Sequence, residues 1–150
     1  MGALSSALDQ VTAGIKSGLV GLVDDVESHP GRFTDDELGR LVRKNQCVRV
    51  AIEQTPGISV AGNGRKEFVV LFAAFIITAD KKGSDRHQAA LDITEKVAEI
   101  LPFNRWSNEP EFMAVEPSTI AAENLYSGTI EKQGIALWAV SWTQKIRTIN

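Results

Sequence analysis

One ten-residue segment, residues 68–77, restricts the fold more than any other part of the sequence. It reads Phe-Val-Val-Leu-Phe-Ala-Ala-Phe-Ile-Ile and has no polar side chain at odd or even positions. Side chains alternate between the two faces of a strand, so a strand without polar residues is covered on both faces. The segment is far shorter than the roughly 20 apolar residues of a membrane-spanning helix. We therefore predict the central strand of a sheet that has packed layers on both sides.

The remaining periodicity and turn signals predict an α+β fold. Thr34 and Glu37 have the spacing of a capping box, and Phe33 and Leu38 that of a hydrophobic staple, so a helix should begin there. The predicted helices cover residues 3–17, 35–44 and 85–101. The other predicted strands cover residues 22–27, 47–52, 112–116, 121–126 and 135–146, with a long loop at 54–66 and a hairpin turn at 131–134.

These elements predict one domain over residues 1–150. We expect a mixed, largely antiparallel sheet of about four to five strands with two to three helices packed on it. In the last strand, Trp138, Val140 and Trp142 should share one face, and Leu137, Ala139 and Ser141 the other. Two tryptophans at this spacing are typical of core packing rather than of base stacking.

The composition argues against a dedicated nucleic-acid-binding protein. The chain has 16 basic and 19 acidic residues and a net charge of −3, and the charges of its two halves are nearly balanced. A protein that binds nucleic acid through phosphates needs a basic surface to neutralise them. With 43% hydrophobic and 23% charged residues, the chain has the balance of an ordinary globular domain.

The sequence offers weak support for catalysis. Cys47 is the only cysteine and lies in a predicted strand, where a structural thiol is the usual finding. His29 precedes a proline in a turn, and His87 lies in the first turn of a predicted helix. The chain lacks a Gly-x-Ser-x-Gly elbow, and its Gly62–Lys66 segment lacks the full phosphate-loop pattern. We therefore expect no enzyme activity, no cofactor and no metal site.

One segment resembles a known family. Residues 123–136 read Glu-Asn-Leu-Tyr-Ser-Gly-Thr-Ile-Glu-Lys-Gln-Gly-Ile-Ala, and a long hydrophobic strand follows. This pattern resembles the C-terminal signature of Mu-like phage tail terminator (tail-completion) proteins. The N-terminal amphipathic helix and the Val-Glu-Ser-x-Pro-Gly stretch at 26–31 are similar in outline, so the resemblance spans nearly the whole chain. Its specific part is the segment from Asn124 to Ala136.

The resemblance implies a structural role. Such proteins form a ring, usually a hexamer, on the end of the tail tube distal from the baseplate, where they stop tail polymerisation and provide the head-joining surface. The implied partners are further copies of the chain and the tail tube protein, with the tail sheath and head–tail connector as further candidates. The implied location is the virion tail, and the host cytoplasm during assembly. It implies no membrane and no sequence-specific nucleic acid, although DNA would pass through the ring.

Separated charges suggest where such a subunit makes contacts. Arg40, Arg43, Lys44 and Arg49 crowd one stretch, whereas residues 102–131 contain five glutamates and one arginine. Charges of opposite sign on two surfaces can set the register of a head-to-tail contact. The predicted subunit or tube interface comprises Arg40, Arg43, Lys44, Glu123, Asn124, Tyr126 and Glu131.

Three alternatives to these interpretations stay open. Both charged stretches fit ordinary solvated surfaces equally well. Another phage part, such as a head–tail connector or a baseplate subunit, would have a similar composition. A small cytoplasmic enzyme would show a deep pocket lined by convergent polar groups.

Overall fold

The computed structural model describes residues 2–44, 46–106 and 111–148, without the side chains of residues 42–44. The helices are α1 (Ala3–Gly18), α2 (Asp35–Lys44), α3 (Arg86–Ile100) and α4 (Gly128–Lys132), with a short 3₁₀ turn at Pro117–Thr119. The strands are β1 (Asp25–Ser28), β2 (Cys47–Val60), β3 (Lys66–Ala79), β4 (Glu111–Phe112), β5 (Ala121–Asn124) and β6 (Ile135–Arg147). No helix among these residues is long and apolar enough to cross a bilayer.

The strands form one sheet with β3 at its centre. The order is β1-β2-β3-β6, and both β4 and β5 pair with the outer side of β6. β1 is parallel to β2, with α2 as the connection between them, and all other pairs are antiparallel. The predicted α+β class, with a mixed and largely antiparallel sheet, is confirmed. The described sheet has six strands rather than four or five because β1, β4 and β5 are short additions at its edges.

Two apolar layers cover the central strand, as its sequence predicts. One face of the sheet packs against α1 and α3 and contains Phe72, Ile76 and Trp142. The other face packs against α2 and α4 and contains Phe75, Ile77 and Leu137. The predicted division of β6 into two faces is confirmed, because Trp138 and Val140 lie in the first layer and Leu137 and Ala139 in the second.

The start of α2 confirms the predicted cap but not the full capping box. The hydroxyl of Thr34 accepts a hydrogen bond from the backbone N–H of Glu37 at 3.1 Å. The Glu37 carboxylate does not return to Thr34; both of its oxygens lie 3.1 Å from Nε2 of His29. The ring of His29 stacks on Phe33, with 4.1 Å between the ring centroids. This tertiary contact joins the turn after β1 to the first turn of α2.

The predicted loop at 54–66 is wrong. β2 continues to Val60 through two register shifts, one between Ile52 and Gln54 and one between Gln54 and Gly57. An edge strand tolerates proline because its free side needs no backbone donor, so Pro56 does not end the strand. The true connection is a tight turn in which the backbone N–H of Ala61 donates to the carbonyl of Arg65 at 2.8 Å.

Four further elements differ from the sequence prediction. The segment predicted as a hairpin turn at 131–134 starts inside α4, because the Ser127 hydroxyl accepts a hydrogen bond from the N–H of Ile130 and Ile130 is buried. The strand predicted at 22–27 begins only at Asp25, the strand predicted at 112–116 ends at Phe112, and the strand predicted at 121–126 ends at Asn124. The helices predicted at 3–17 and 85–101 are confirmed to within one residue at each end.

A buried amide fixes the loop after α3. Gln144 is 2% exposed, and its Oε1 accepts hydrogen bonds from the indole N–H of Trp106 at 2.8 Å and of Trp142 at 3.4 Å. Its Nε2 donates to the carbonyls of Asn104 at 3.0 Å and Met113 at 2.7 Å. All of its hydrogen-bonding groups therefore have partners, which makes a buried polar side chain stabilising rather than costly.

We expect opposite effects from the same substitution at two helical glycines. A Cβ at Gly14 would overlap the Trp106 ring, which the Gln144 network holds in place, whereas a Cβ at Gly39 meets nothing within 4 Å. Gly14→Ala should lower the free energy of unfolding by about 1–3 kcal/mol. Gly39→Ala should raise it by roughly 0.5–1 kcal/mol. Urea unfolding measures both changes, and equal stability of the two variants would contradict the packing of α1 against Trp106.

Candidate assembly surfaces

The basic group predicted on one stretch of sequence is divided by the fold. Arg40 is exposed on α2, and Arg43 and Lys44 belong to the same helix but their side chains lie outside the described part of the structure. Arg49 is only 6% exposed and donates hydrogen bonds to both carboxylate oxygens of Asp25, at 2.8 and 3.2 Å. Arg49 is therefore a structural ion-pair residue that joins β1 to β2, and its inclusion in an exposed basic group is wrong.

The residues predicted on the acidic side of the interface also divide into exposed residues and residues held in ion pairs. All four residues of β5, including Glu123 and Asn124, are exposed, and Tyr126 just after the strand is 65% exposed. Glu131 instead forms an ion pair with Arg86 at 2.8 Å, and the same guanidinium binds Asp80 at 2.9 Å. Glu131 therefore fixes α4 to the start of α3, although its carboxylate is still partly accessible.

The remaining exposed charges lie on opposite flanks of the sheet. α2 packs on β2 and β3, whereas β5 lies beyond β6 at the other side. In the described residues, Arg40 and Glu123 form no ion pair with each other or with another side chain, nor does Glu116. The fold thus keeps these basic and acidic groups apart within one chain, as a head-to-tail contact between chains requires.

Sequence reasoning missed a third surface, the projecting part of the β2–β3 hairpin from residue 53 to residue 69, which we call the arm. Ile58 and Val60 on the arm are 62% and 64% exposed. Their signal in the sequence is the alternation of Ile, Ser and Val, which the preceding proline and glycine obscure. Isolated exposed apolar residues are common, but two on one face of a projecting strand are a candidate contact.

A network of ion pairs fixes the end of the arm that carries the turn. Arg65 donates to Glu111 on β4 at 2.7 Å, and Arg147 on β6 donates to Glu67 on β3 at 2.9 Å. Arg65, Glu67 and Arg147 border a cleft of about 340 Å³ between the arm and the end of β6, together with Lys66. Arg147 and Glu67 neutralise each other and Arg65 is neutralised by Glu111, so most of the charge at the cleft is already paired within the fold.

Neither candidate for catalytic chemistry is activated. Burial raises the pKa of the Cys47 thiol to about 11, so the thiol is protonated at neutral pH and is a poor nucleophile. Nδ1 of His29 accepts from the N–H of Gly31 at 2.9 Å, and its Nε2 faces Glu37. Within the described ranges, no three His, Cys, Asp or Glu side chains are grouped to hold a metal ion.

The Arg65–Glu111 pair should make folding stability depend on pH below neutrality. The hydrogen bond from Arg65 holds the pKa of the Glu111 carboxyl below its usual 4.5. The contribution of the Arg65–Glu111 pair to the free energy of unfolding is therefore complete above about pH 4.5, and it is lost as the pH falls through the lower pKa of Glu111 in the folded state. Glu111→Gln should flatten the decrease in the free energy of unfolding below pH 4.5. Urea titrations at pH 3–7 test this, with Glu116→Gln as the control that follows the parent.

The described residues form one α+β fold with several exposed surfaces. The sequence matches no protein-family model and no curated protein. Among solved structures, this chain is similar to a chain described as "Virion of native gene transfer agent (GTA) particle", with a TM-score of 0.62. The match covers 95% of this chain and 96% of that chain at 12% sequence identity. The two chains therefore share a fold over their whole lengths.

Proposed function

We propose that the chain is a virion structural subunit and, more specifically, a tail terminator that forms a ring on the end of a tail tube. The observation that supports it most is the end-to-end similarity to a chain of a gene transfer agent virion. The resemblance of residues 124–136 to Mu-like tail terminators adds the finer assignment. Two comparisons of different kinds, one of folds and one of local sequence, thus favour the same class of protein.

The segment that carries the resemblance lies at the surface. It begins at the end of β5, passes Tyr126, forms α4 and enters β6. Most of residues 121–129 are exposed, although the buried Ile130 anchors α4 to the sheet. A surface segment fixed by a buried side chain can present a defined shape to another subunit at a low cost in conformational entropy. We therefore propose Glu123, Asn124 and Tyr126 as subunit contacts.

In this proposal, α2, with its exposed Arg40, is a second contact surface. Arg40, Arg43 and Lys44 would face the tube or a neighbouring subunit, while Glu131 would contribute through the part of its carboxylate that Arg86 leaves accessible. A ring needs two different surfaces on each subunit, and the opposite flanks of this sheet supply them. The subunit would act in the virion tail, after assembly in the host cytoplasm, beside the tube protein and near the sheath and connector.

Two other functions make different predictions about where the protein binds. A head–tail connector or baseplate subunit would share the virion class but would not bind the free end of a tube. An enzyme would use a cleft with an activated group, whereas Cys47 is protonated and most of the charges at the cleft beside the arm are paired. The position of the protein on isolated tails therefore separates these functions.

We expect the purified protein to cap tubes that its cognate tail tube protein forms. Added during polymerisation, it should shorten the tubes and produce density at one end in negative-stain electron micrographs. A monomer in free solution is compatible with this result, because a tube end can template the ring. Unchanged tube lengths with no density at the ends would exclude the terminator role.

Reversing the charge of Arg40 should weaken capping without unfolding the protein. Arg40 lies at an exposed position of α2, so the effect of Arg40→Glu on the free energy of unfolding should stay within about 0.5 kcal/mol. Its capping defect should be larger at 50 mM than at 500 mM NaCl, because salt screens contacts between exposed charges. Lys96→Glu, on the outer face of α3, is the control and should cap like the parent.

A paired reversal identifies what Arg40 contacts. If Arg40 meets Glu123 of a neighbouring copy, Arg40→Glu combined with Glu123→Arg should recover part of the capping lost by each single variant. A defect in Arg40→Glu without recovery in the pair would place Arg40 against the tube instead. Normal capping by Arg40→Glu at low salt would mean that the end of α2 is solvated.

A further inference from the structure

The outer edge of β5 has free backbone hydrogen-bonding groups. The N–H of Leu125 donates to the carbonyl of Leu137, so Leu125 and every second residue before it bond to β6. Ala122 and Asn124 lie between these positions and direct their N–H and C=O groups away from β6. In the described part of the chain, no backbone hydrogen bond takes up these outward groups.

The arm has a second free edge with the same spacing. The N–H of Ala61 donates to the carbonyl of Arg65, so Ser59 and Gly57 bond to β3 and the residues between them do not. Ile58 and Val60 therefore direct their backbone groups outward. β1 covers β2 only as far as Val50, which leaves this part of the edge open in the described structure.

We propose that the outer edge of β5 pairs with the arm of a second copy of this chain, an inference that rests on the proposed ring. Antiparallel pairing places Val60 opposite Ala122 and Ile58 opposite Asn124, and these two pairs exchange the outward N–H and C=O groups of both edges. Ser59 then lies opposite Glu123. No other antiparallel register uses all four outward-facing residues in hydrogen-bonded pairs.

The directions and faces of the strands agree with this contact. Within one sheet β5 is antiparallel to β2, so rotation about a ring axis brings β5 of one copy antiparallel to β2 of the next. Ala122 and Asn124 lie on the same face of the sheet as Val140 and Trp138, their partners in β6. Ile58 and Val60 lie on this face too, opposite Phe68 and Lys66 of β3.

The side chains of the two edges are complementary in size. Ile58 and Val60 are large and more than 60% exposed. Val60 lies opposite the small Ala122, which leaves room for it, and Ile58 lies opposite the exposed Asn124. Edge strands of natural proteins are commonly protected from unwanted pairing by proline, bulges, charged side chains or short length. Pro56 and the two register shifts protect the preceding part of the arm, and β5 is short and carries Glu123, whereas residues 58–60 contain no proline, bulge or charge.

The contact also sets the inclination of the strands. Ile58 lies opposite Phe68 of β3. Asn124 lies opposite Trp138 of β6, which in turn lies opposite Ile76 of β3. Measured along β3, the two edges are therefore displaced by eight residues. At about 3.3 Å per residue, this displacement is roughly 26 Å. A ring that joins the edges therefore has strands inclined to its axis, as closed β-barrels do. The end of α2 lies away from this seam and is free to face the tube.

Engineered cysteines test both the register and the face. Cys47 is the only native cysteine and is fully buried, so introduced thiols on the edges are the accessible ones. The pairs Ser59→Cys with Glu123→Cys and Val60→Cys with Ala122→Cys join directly opposite residues on one face, with Cα separations that suit a disulfide. The controls recombine the same four substitutions across faces, as Ser59→Cys with Ala122→Cys and Val60→Cys with Glu123→Cys.

Each double variant is oxidised mildly after incubation with cognate tail tubes and, separately, at high protein concentration. We expect both same-face pairs to give a ladder of covalent oligomers that ends at the closed ring, and the cross-face pairs to give at least tenfold less. Non-reducing electrophoresis measures the yield, and electron microscopy of the same reduced samples measures capping.

The outcomes separate this proposal from the proposed function. Capped tubes without same-face ladders, or with equal yields from all four pairs, would overturn the edge contact and leave the terminator role standing. Same-face ladders in concentrated protein that does not cap tubes would support the edge contact and count against the terminator role. The absence of both ladders and capping would overturn both.

Discussion

The pairing of β3 with β6 supports most of the structure. The two strands are joined over thirteen consecutive residue pairs, and the buried part of β3 carries apolar side chains on both faces. Because both faces of this strand must be removed from water, the chain needs one layer of helices on each side of the sheet. α1 and α3 supply one layer, and α2 and α4 supply the other.

The strands are longer than the helical layers, and this difference creates the exposed arm. β2 is buried from Cys47 to Ala51 and mostly exposed beyond Ile52. The arm keeps its strand pairing because β3 and β6 continue beside β2 in the same sheet, and the ion pairs of Arg65 and Arg147 fix the end that carries the turn. A strand edge with exposed apolar residues is a surface suited to contact with another chain rather than with a small ligand.

Many charged side chains serve the fold and are not available for assembly. Arg49 joins β1 to β2, Arg86 joins the start of α3 to α4, and Arg65 joins the arm to β4. The attraction within the partly buried pairs is less screened by salt, although burial also costs desolvation, whereas the exposed pairs chiefly fix geometry. The exposed charges that form no ion pair in the described structure, Arg40 and Glu123 among them, are therefore the better candidates for contacts between subunits.

The sequence by itself determined the central strand, the three long helices, the Thr34 cap and the two faces of β6. These features depend on local periodicity or on contacts between near neighbours in the chain, so a few adjacent residues are enough to predict them. The resemblance to tail terminators stays a prediction, and the comparison with the virion chain establishes a shared fold. The sequence predicted secondary structure least well where the local residue preferences disagree with the strand pairing of the folded chain.

Only the tertiary structure decided which charges are exposed and where β2 ends. Arg49 and Arg40 look alike in the sequence, but one meets Asp25 across a parallel strand pair and the other faces solvent. Pro56 and Gly57 are typical of a loop, yet β3 supplies a partner that keeps them in a strand. In both cases the deciding partner lies on another element of the fold, so no pattern within the segment itself could have identified it.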